Sequence, residues 1–260
     1  MNRLKTAFET RKKSLLMTFT VAGDPDFATS LEIIRALEKG GADIIELGLP
    51  FSDPVADGPV IQQADQRALA SGMNTDRFFD LVREVRKRSD IPLVVLTYTN
   101  LILQRDIKKF YQDAADAGID AVVVADLPFE EAAPYIDAAE AAGVAPVMMV
   151  STTTSPERLS KILTVQSGFI YLVAALGVTG MRQKTDPVAR RLLIDLKSRT
   201  DIPVAPGFGI SDGEQVRDWV DAGADAVIVG SALVRKIEAC LGEPDTLIPQ
   251  ITAFVQSLRQ

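Results

Sequence analysis

The feature that most constrains the fold is an alternation of short β-branched runs with longer amphipathic stretches, repeated eight times along the chain. The short runs predict strands, at Leu15–Thr20, Asp43–Gly48, Pro92–Thr97, Asp120–Ala125, Val144–Val150, Phe169–Val173, Pro203–Pro206 and Asp225–Val229. Helical periodicity fills the intervals, for example in Thr29–Lys39, Arg105–Ala117, Glu130–Ala142, Pro187–Arg199 and Glu214–Ala222. Helices between successive apolar strands favour parallel pairing and right-handed crossovers. Eight such units, with one extra N-terminal helix, predict an α/β fold of the (β/α)8 TIM-barrel type, because a doubly wound sheet rarely has eight evenly spaced units.

A repeated helix ending supports this interpretation. Four predicted helices end in Gly directly before the next strand, at Gly41, Gly118, Gly143 and Gly223. Glycine can adopt the left-handed conformation that ends a helix. No linker or shift in composition interrupts the 260 residues. We therefore expect a single TIM-barrel domain spanning residues 1–260.

The absence of histidine limits the chemistry of the chain. It excludes Ser-His and Cys-His dyads, zinc sites built on His and imidazole acid–base catalysis, and we expect no metal site. Proton transfer near neutral pH then depends on carboxylates, Lys, Tyr or the single cysteine, Cys240.

Net charge and hydropathy restrict the partners of the protein and its location in the cell. The chain has 28 Lys and Arg against 35 Asp and Glu, a net charge of −7, which argues against nucleic acid or an anionic membrane as partner. Its first residues lack the apolar region of a signal peptide, and no apolar run reaches transmembrane length. These features predict a soluble cytoplasmic protein.

A carboxylate sets the second predicted strand apart from the other strands of the repeat. Three residues after the Asp that opens a strand, Val123 and Ile228 are apolar, whereas Glu46 occupies this position in the second strand. Strand alternation places Glu46 on the face of Ile44 and Gly48. If that face is the barrel interior, poor solvation raises the pKa of Glu46 and suits a general acid and base. The alternative is that Glu46 points outward and pairs with a helical Lys or Arg.

The loop after the second strand contains another candidate catalytic carboxylate, Asp57. Prolines stiffen this loop, which lies at the strand end where barrel enzymes place their active sites. The alternative is that Asp57 is only an acidic residue at the start of a helix near Pro59.

Glycine-rich turns after the last two strands predict a phosphate-binding site. The seventh strand continues into Gly207–Ser211, and the eighth ends at Gly230-Ser231 with a helix behind it. Barrel enzymes often bind phosphate there, through backbone N–H groups and a helix N-terminus. The turn Gly177–Gly180 after the sixth strand could close over the same group. Each turn alone is consistent with structural glycines, but their coincidence on neighbouring strand ends favours the phosphate site.

Taken together, these motifs resemble the tryptophan synthase alpha chain family. The resemblance rests on Ile45–Pro59 (IELGLPFSDPVADGP), Phe19–Pro25 (FTVAGDP), Gly177–Gly180 (GVTG) and Gly207–Ser211 (GFGIS), and it covers nearly the whole chain. It implies a lyase of tryptophan biosynthesis that cleaves indole-3-glycerol phosphate into indole and D-glyceraldehyde 3-phosphate. It also implies that this chain uses no cofactor of its own.

The resemblance further implies the roles of individual residues. Glu46 is expected to be the acid and base, and Asp57 to accept the indole N–H and stabilise charge on the ring. Tyr171 matches the family tyrosine near that aspartate, and Thr179 matches the threonine that closes over it. The other expected substrate-binding residues line an indole pocket or hold phosphate: Phe19, Leu96, Tyr98 and Phe208 for indole, and Gly180, Gly209, Gly230 and Ser231 for phosphate.

The family resemblance also implies a partner, a β chain that carries pyridoxal phosphate and receives the indole, in an α2β2 heterotetramer. Three other functions are considered at this point. One is a stand-alone lyase that releases free indole. Another is a non-catalytic metabolite-binding subunit, which the presence of both Glu46 and Asp57 disfavours. The third is an isomerase or decarboxylase on the same barrel, which the absence of a lysine at a strand end disfavours.

Overall fold

In the computed structural model, which describes residues 2–165, 168–174 and 186–259, eight parallel strands form one sheet. They are β1 (Leu15–Val21), β2 (Ile44–Gly48), β3 (Leu93–Thr97), β4 (Ala121–Val124), β5 (Ala145–Ser151), β6 (Ile170–Val173), β7 (Val204–Gly207) and β8 (Ala226–Val229). Their order around the sheet is β7-β6-β5-β4-β3-β2-β1-β8. The first and last strands in this order, β7 and β8, are also joined, since the N–H of Asp225 donates to the carbonyl oxygen of Val204 at 3.0 Å. The sheet therefore closes into the predicted barrel, and the eight predicted strands are confirmed.

Twelve α-helices accompany the strands in the described part of the chain. They are α1 (Arg3–Thr10), α2 (Phe27–Gly40), α3 (Pro59–Ala70), α4 (Thr75–Arg86), α5 (Thr99–Arg105), α6 (Ile107–Ala117), α7 (Ala133–Ala142), α8 (Pro156–Ile162), α9 (Pro187–Arg199), α10 (Gly213–Asp221), α11 (Ser231–Ala239) and α12 (Pro244–Ser257). As predicted, one helix precedes β1. None of the helices in these described ranges is both long enough and apolar enough to cross a membrane.

Two predicted helices differ from the observed ones. The predicted helix Arg105–Ala117 is interrupted at Asp106, whose φ of 73° is incompatible with a continuous helix. The Asp106 side chain instead caps α6 by accepting the Lys109 N–H at 3.1 Å. The other predicted helix, Glu130–Ala142, begins as a separate 3-10 helix at Phe129–Glu131, and α7 follows it.

The glycine repeat has the predicted backbone conformation. Positive φ angles occur at the four glycines that follow α2, α6, α7 and α10: Gly41 (103°), Gly118 (98°), Gly143 (72°) and Gly223 (97°). These residues end their helices and turn the chain toward the next strand.

The aspartates that open β2, β4 and β8 form a repeated network at the N-terminal end of the barrel. The carboxylate of Asp120 accepts the N–H of Leu93 on β3 at 2.9 Å and pairs with Arg86 at 2.9 Å. Asp225 likewise accepts the first N–H of β7 at 2.8 Å and pairs with Lys197 at 2.7 Å. Asp43 accepts an N–H of β1 at 2.7 Å and pairs with Arg259. Each aspartate thus joins its own strand to the strand that precedes it in the chain, and Asp225 does so at the point where the barrel closes, between β7 and β8.

Candidate active site

Glu46 lies in the barrel interior on β2. Its partners in register are Phe19 on β1 and Val94 on β3. Gly48, two residues farther along, faces the same interior, because a Cβ atom there would lie 2.9 Å from the Phe19 ring. The Glu46 side chain is 0% exposed, and neither of its carboxylate oxygens has a hydrogen-bond partner among the described residues. The interior position predicted from the repeat is therefore confirmed, and the outward-facing alternative is wrong.

The burial of Glu46 changes its acid–base behaviour. Loss of hydration raises the pKa of Glu46 to about 8, and the negative charge of Asp57 contributes to this increase. Glu46 is therefore mostly protonated at neutral pH, so that it can donate a proton and afterwards accept one.

Asp57 lies in the loop between β2 and α3, where Tyr98 holds its side chain. The Tyr98 hydroxyl donates to Oδ2 of Asp57 at 2.6 Å and accepts the N–H of Ala56 at 3.3 Å. Burial raises the pKa of Asp57 to about 6, and the hydrogen bond from Tyr98 opposes this increase. The N-cap of α3 is Gly58, so Asp57 does not serve as the helix cap.

The two carboxyl groups differ in protonation near neutral pH. The pKa of Glu46 is about 8, whereas that of Asp57 is about 6. At pH 7 the site therefore holds one neutral acid and one carboxylate, which is the separation that acid–base catalysis by two carboxyl groups requires.

A pocket opens at the C-terminal end of the barrel, and its lining includes Phe19, the β1 residue in register with Glu46, but not Glu46 itself. Its lining combines apolar side chains, one carboxylate and the backbone of two strand ends: Phe19, Asp57, Ile61, Leu96, Tyr171, Phe208, Gly209, Ile210, Ile228, Gly230 and Ser231. The predicted site residues from six different strands or their loops thus lie together. Such a lining suits a flat apolar group beside Asp57 and an anion near the glycines.

Tyr171 occupies the side of the pocket formed by β6. A Cβ atom at position 207 would lie 2.7 Å from the Tyr171 hydroxyl oxygen, so glycine at this position leaves room for the phenol. Burial and the charges of Glu46 and Asp57 keep the pKa of Tyr171 well above its usual value. Tyr171 is therefore a neutral group that packs against Phe208, with ring centroids 5.8 Å apart.

The β8 side of the pocket presents backbone N–H groups. Helix α11 begins at Ser231, and its first backward hydrogen bonds run from Leu233 and Val234 to the carbonyl oxygen of Gly230. Helix geometry leaves the N–H groups of Ser231 and Ala232 without an acceptor inside the helix. These groups and the helix dipole make this end of the pocket favourable for a phosphate.

Tyr98 does not line the pocket, unlike the other residues predicted to bind the indole ring. Tyr98 is 2% exposed and is bonded to Asp57, whereas Phe19, Leu96 and Phe208 line the cavity directly. Thr179 and Gly180 lie outside the described residues, as does the rest of the Gly177–Gly180 turn.

Three pocket residues were not singled out by sequence reasoning: Ile61, Ile210 and Ile228. The sequence carried a signal for two of them: Ile210 lies within the predicted phosphate-binding turn Gly207–Ser211, and Ile228 holds the position in β8 that corresponds to Glu46 in β2. Within the described ranges, no group of three or more His, Cys, Asp or Glu side chains is placed to hold a metal ion.

Replacing Tyr98 by Phe is expected to raise the pKa of Asp57 by about 1 unit, because a hydrogen bond that favours the carboxylate is lost. Carbon-13 NMR titration of the Asp57 carboxyl group measures this change. Tyr111→Phe, which alters a buried tyrosine on α6, serves as the control and should leave the titration unchanged. An unshifted Asp57 in Tyr98→Phe would show that the hydrogen bond does not stabilise the carboxylate.

Comparisons with known proteins agree with the geometry of this site. The family model described as tryptophan synthase alpha chain matches residues 5–260. The tryptophan synthase alpha chain of Methanoregula boonei is 48% identical over 260 residues, which cover 100% of this chain and 98% of that protein. That of Vibrio vulnificus is 42% identical, with coverage of 100% and 98%.

Solved structures give the same result. Tryptophan synthase subunit alpha from Legionella pneumophila superimposes with a TM-score of 0.91 at 34% identity, covering 100% of this chain and 98% of that chain. A subunit from the α2β2 tryptophan synthase complex of Pyrococcus furiosus superimposes with a TM-score of 0.89 at 37% identity, covering 95% and 98%. The protein thus shares its barrel with solved structures of this family and nearly its full length with these relatives, and it belongs to the tryptophan synthase alpha chain family.

Proposed function

We propose that this chain catalyses the α reaction of its family, in which indole-3-glycerol phosphate is cleaved to indole and D-glyceraldehyde 3-phosphate. The observation that carries this proposal is a pair of carboxyl groups in different states: Glu46 is buried and protonated in the barrel interior, and Asp57 is ionised in the lining of the pocket. This pairing matches a retro-aldol cleavage, which needs both a proton donor and a group that stabilises positive charge.

In the proposed reaction, Glu46 first gives its proton to C3 of the indole ring. The ring becomes an indolenine cation, whose N–H donates to the Asp57 carboxylate. The Glu46 carboxylate then removes the proton of the neighbouring side-chain hydroxyl. The O–H electrons form the aldehyde carbonyl, and the electrons of the broken C–C bond return to the ring as neutral indole. Glu46 ends the cycle protonated, so protons and electrons balance.

In this proposal the substrate is divided among the residues that line the pocket. The indole ring is assigned to Phe19, Leu96 and Phe208, and its N–H to Asp57. The phosphate is assigned to Gly209, Gly230 and the N-terminus of α11, where helix N–H groups are available. Thr179 and Gly180 are assigned to substrate binding from the family resemblance alone.

The rate of cleavage should depend on pH in a bell-shaped manner. Activity is expected to rise with pH as Asp57, whose pKa is about 6, loses its proton and becomes able to stabilise the cationic ring. It is expected to fall as Glu46, whose pKa is about 8, loses the proton that it must donate. Measuring kcat/KM for indole release from about pH 5 to about pH 10 tests both the rise and the fall of activity, because this range extends beyond both pKa values. A rate that keeps increasing above the pKa of Glu46 would contradict its role as the initial acid.

The proposed partner is a β chain that uses pyridoxal phosphate to consume the indole. The Pyrococcus furiosus relative is described as mutually activated within an α2β2 complex, and we extend that assembly to this chain. The loop between β2 and α3 supports this extension, because Val55 at its tip is apolar and 80% exposed. Cytoplasmic location, with residues 1–260 acting as one domain, is part of the same proposal.

Indole release by the purified wild-type chain, measured with and without a β chain, tests the function. We expect slow release that the β chain strongly stimulates. Fast release that does not respond to the β chain would instead identify a stand-alone lyase. Substrate binding without release under either condition would identify a regulatory subunit and would overturn the proposed activity.

A further inference from the structure

Arg67, near the end of α3, joins three elements of the barrel. Its guanidinium donates to both carboxylate oxygens of Asp24, at 2.7 and 2.9 Å, and to the carboxylate of Glu238 at 3.2 Å. Asp24 lies in the turn between β1 and α2, and Glu238 lies in the last turn of α11. The proposed cleavage assigns no role to Arg67.

Each of the three joined elements carries residues that line the pocket. Phe19 is on β1, Ile61 is in the first turn of α3, which follows the loop that holds Asp57, and Ser231 begins α11. The helices α3 and α11 pack against each other, and both pack against β1. Arg67 itself does not line the pocket, so its effect on a bound substrate passes through the elements that it joins.

The bond between Arg67 and Asp24 ties the end of α3 to the turn after β1. The Asp24 side chain is 0% exposed, and a buried carboxylate requires a partner of opposite charge. Two parallel N–H···O bonds between a guanidinium and a carboxylate fix orientation as well as distance. Ser71, directly after α3, adds a contact of 3.4 Å between its hydroxyl and the carbonyl oxygen of Gly23 in the same turn.

The bond between Arg67 and Glu238 extends this connection to α11. The Glu238 side chain is 39% exposed, so water weakens the pair. Because Asp24 already holds Arg67 in place, less side-chain freedom is lost when Arg67 binds Glu238. The helices α3 and α11, which begin at the pocket with Ile61 and Ser231, are thus joined near their other ends.

We propose that Arg67 is a positioning residue for the cleavage: it fixes α3 relative to α11 and thereby sets the separation between Asp57 and the phosphate end of the pocket at Ser231. This inference rests on the proposed function, in which the indole N–H binds Asp57 and the phosphate binds at α11. The substrate must reach both ends at once. A change in their separation therefore weakens its binding and its alignment, whereas a ligand that occupies one end is unaffected.

Steady-state kinetics of the full chain with its β chain test the role of Arg67. Arg67→Met is expected to lower kcat/KM about 30-fold, because small displacements of a positioned substrate cost rate. Glu238→Ala should lower it about 5-fold, since Asp24 still holds Arg67, and Glu238→Gln, which keeps an oxygen acceptor, should return to within about 2-fold of wild type. Arg83→Met on α4, which removes only an exposed pair with Asp80, is the matched control and should have no effect.

Ligand binding separates a changed separation from general damage to the pocket. Calorimetry on the full chain uses the Glu46→Gln background, in which the substrate is not cleaved. Adding Arg67→Met should weaken the binding of indole-3-glycerol phosphate about 10-fold, because this ligand spans both ends. The affinities for inorganic phosphate and for indole, which each occupy one end, should stay within about 2-fold of their values without Arg67→Met.

The outcomes that overturn this inference are distinct from those that overturn the proposed function. If Arg67→Met does not fold because Asp24 is left buried without a cation, the double variant Asp24→Asn with Arg67→Met replaces it in both experiments. A wild-type kcat/KM in the folded Arg67 variant or in Glu238→Ala would overturn the inference, as would equal losses of affinity for all three ligands. An inactive wild-type enzyme would instead overturn the proposed function, while calorimetry would still decide whether Arg67 sets the separation.

Discussion

Replacing Glu46 by Gln is expected to lower kcat for indole release by about 10³-fold, because one carboxyl group both donates and accepts a proton in the proposed reaction. Gln has nearly the same shape and fits the same space on β2, but it cannot transfer a proton. The effect should appear in kcat at saturating substrate. Binding should change little, because Glu46 is neutral in the resting site and Gln is also neutral.

The experiment compares wild type with Glu46→Gln, each with and without a β chain. Thermal unfolding checks that the variant is folded, and we expect it to be at least as stable as wild type because no ionisable group is then buried at this position. A Glu46→Gln enzyme that retains more than one tenth of the wild-type kcat would show that another group transfers the proton.

The second large effect is expected for Asp120, which lies at the opposite end of the barrel. Asp120→Ala should lower the free energy of unfolding by about 3–5 kcal/mol, because it leaves the Arg86 guanidinium without its buried partner. It also removes the acceptor of the Leu93 N–H at the start of β3. Urea unfolding monitored by circular dichroism measures the change, and kcat of the folded fraction should remain that of wild type.

Asp90→Ala is the matched control for this prediction. The Asp90 side chain is 95% exposed and pairs with Arg3 at the surface, so its loss should cost less than about 1 kcal/mol. Equal losses of stability in the two variants would contradict the view that burial of the Asp120 network makes it strong. A loss of kcat in Asp120→Ala would show that the two ends of the barrel are coupled.

Much of the fold could be predicted from the sequence because each unit of the barrel repeats the same local signals. Apolar runs, helix-ending glycines and strand-opening aspartates recur at similar spacing, and the same repeat made Glu46 stand out as a carboxylate where the other strands have apolar residues. The structure confirms the interior position that strand alternation predicts, and burial there raises the pKa of Glu46.

Other features depend on contacts between distant segments and could not be predicted in this way. The hydrogen bond between Tyr98 and Asp57 joins residues 41 positions apart, and no local pattern specifies it. Asp106 interrupts the predicted helix because its backbone has a positive φ, although the apolar periodicity continues across it.

The network of Asp43, Asp120 and Asp225 has a consequence for how this barrel can evolve. These aspartates join neighbouring strands at the N-terminal end, whereas the pocket is built from loops at the C-terminal end. Barrel enzymes diversify mainly through the loops at the C-terminal end. A substitution in those loops leaves the strand-joining network intact, so a new substrate preference can arise without a loss of closure. Because the aspartate network stabilises the N-terminal end of the barrel, the protein tolerates destabilising catalytic groups at the C-terminal end.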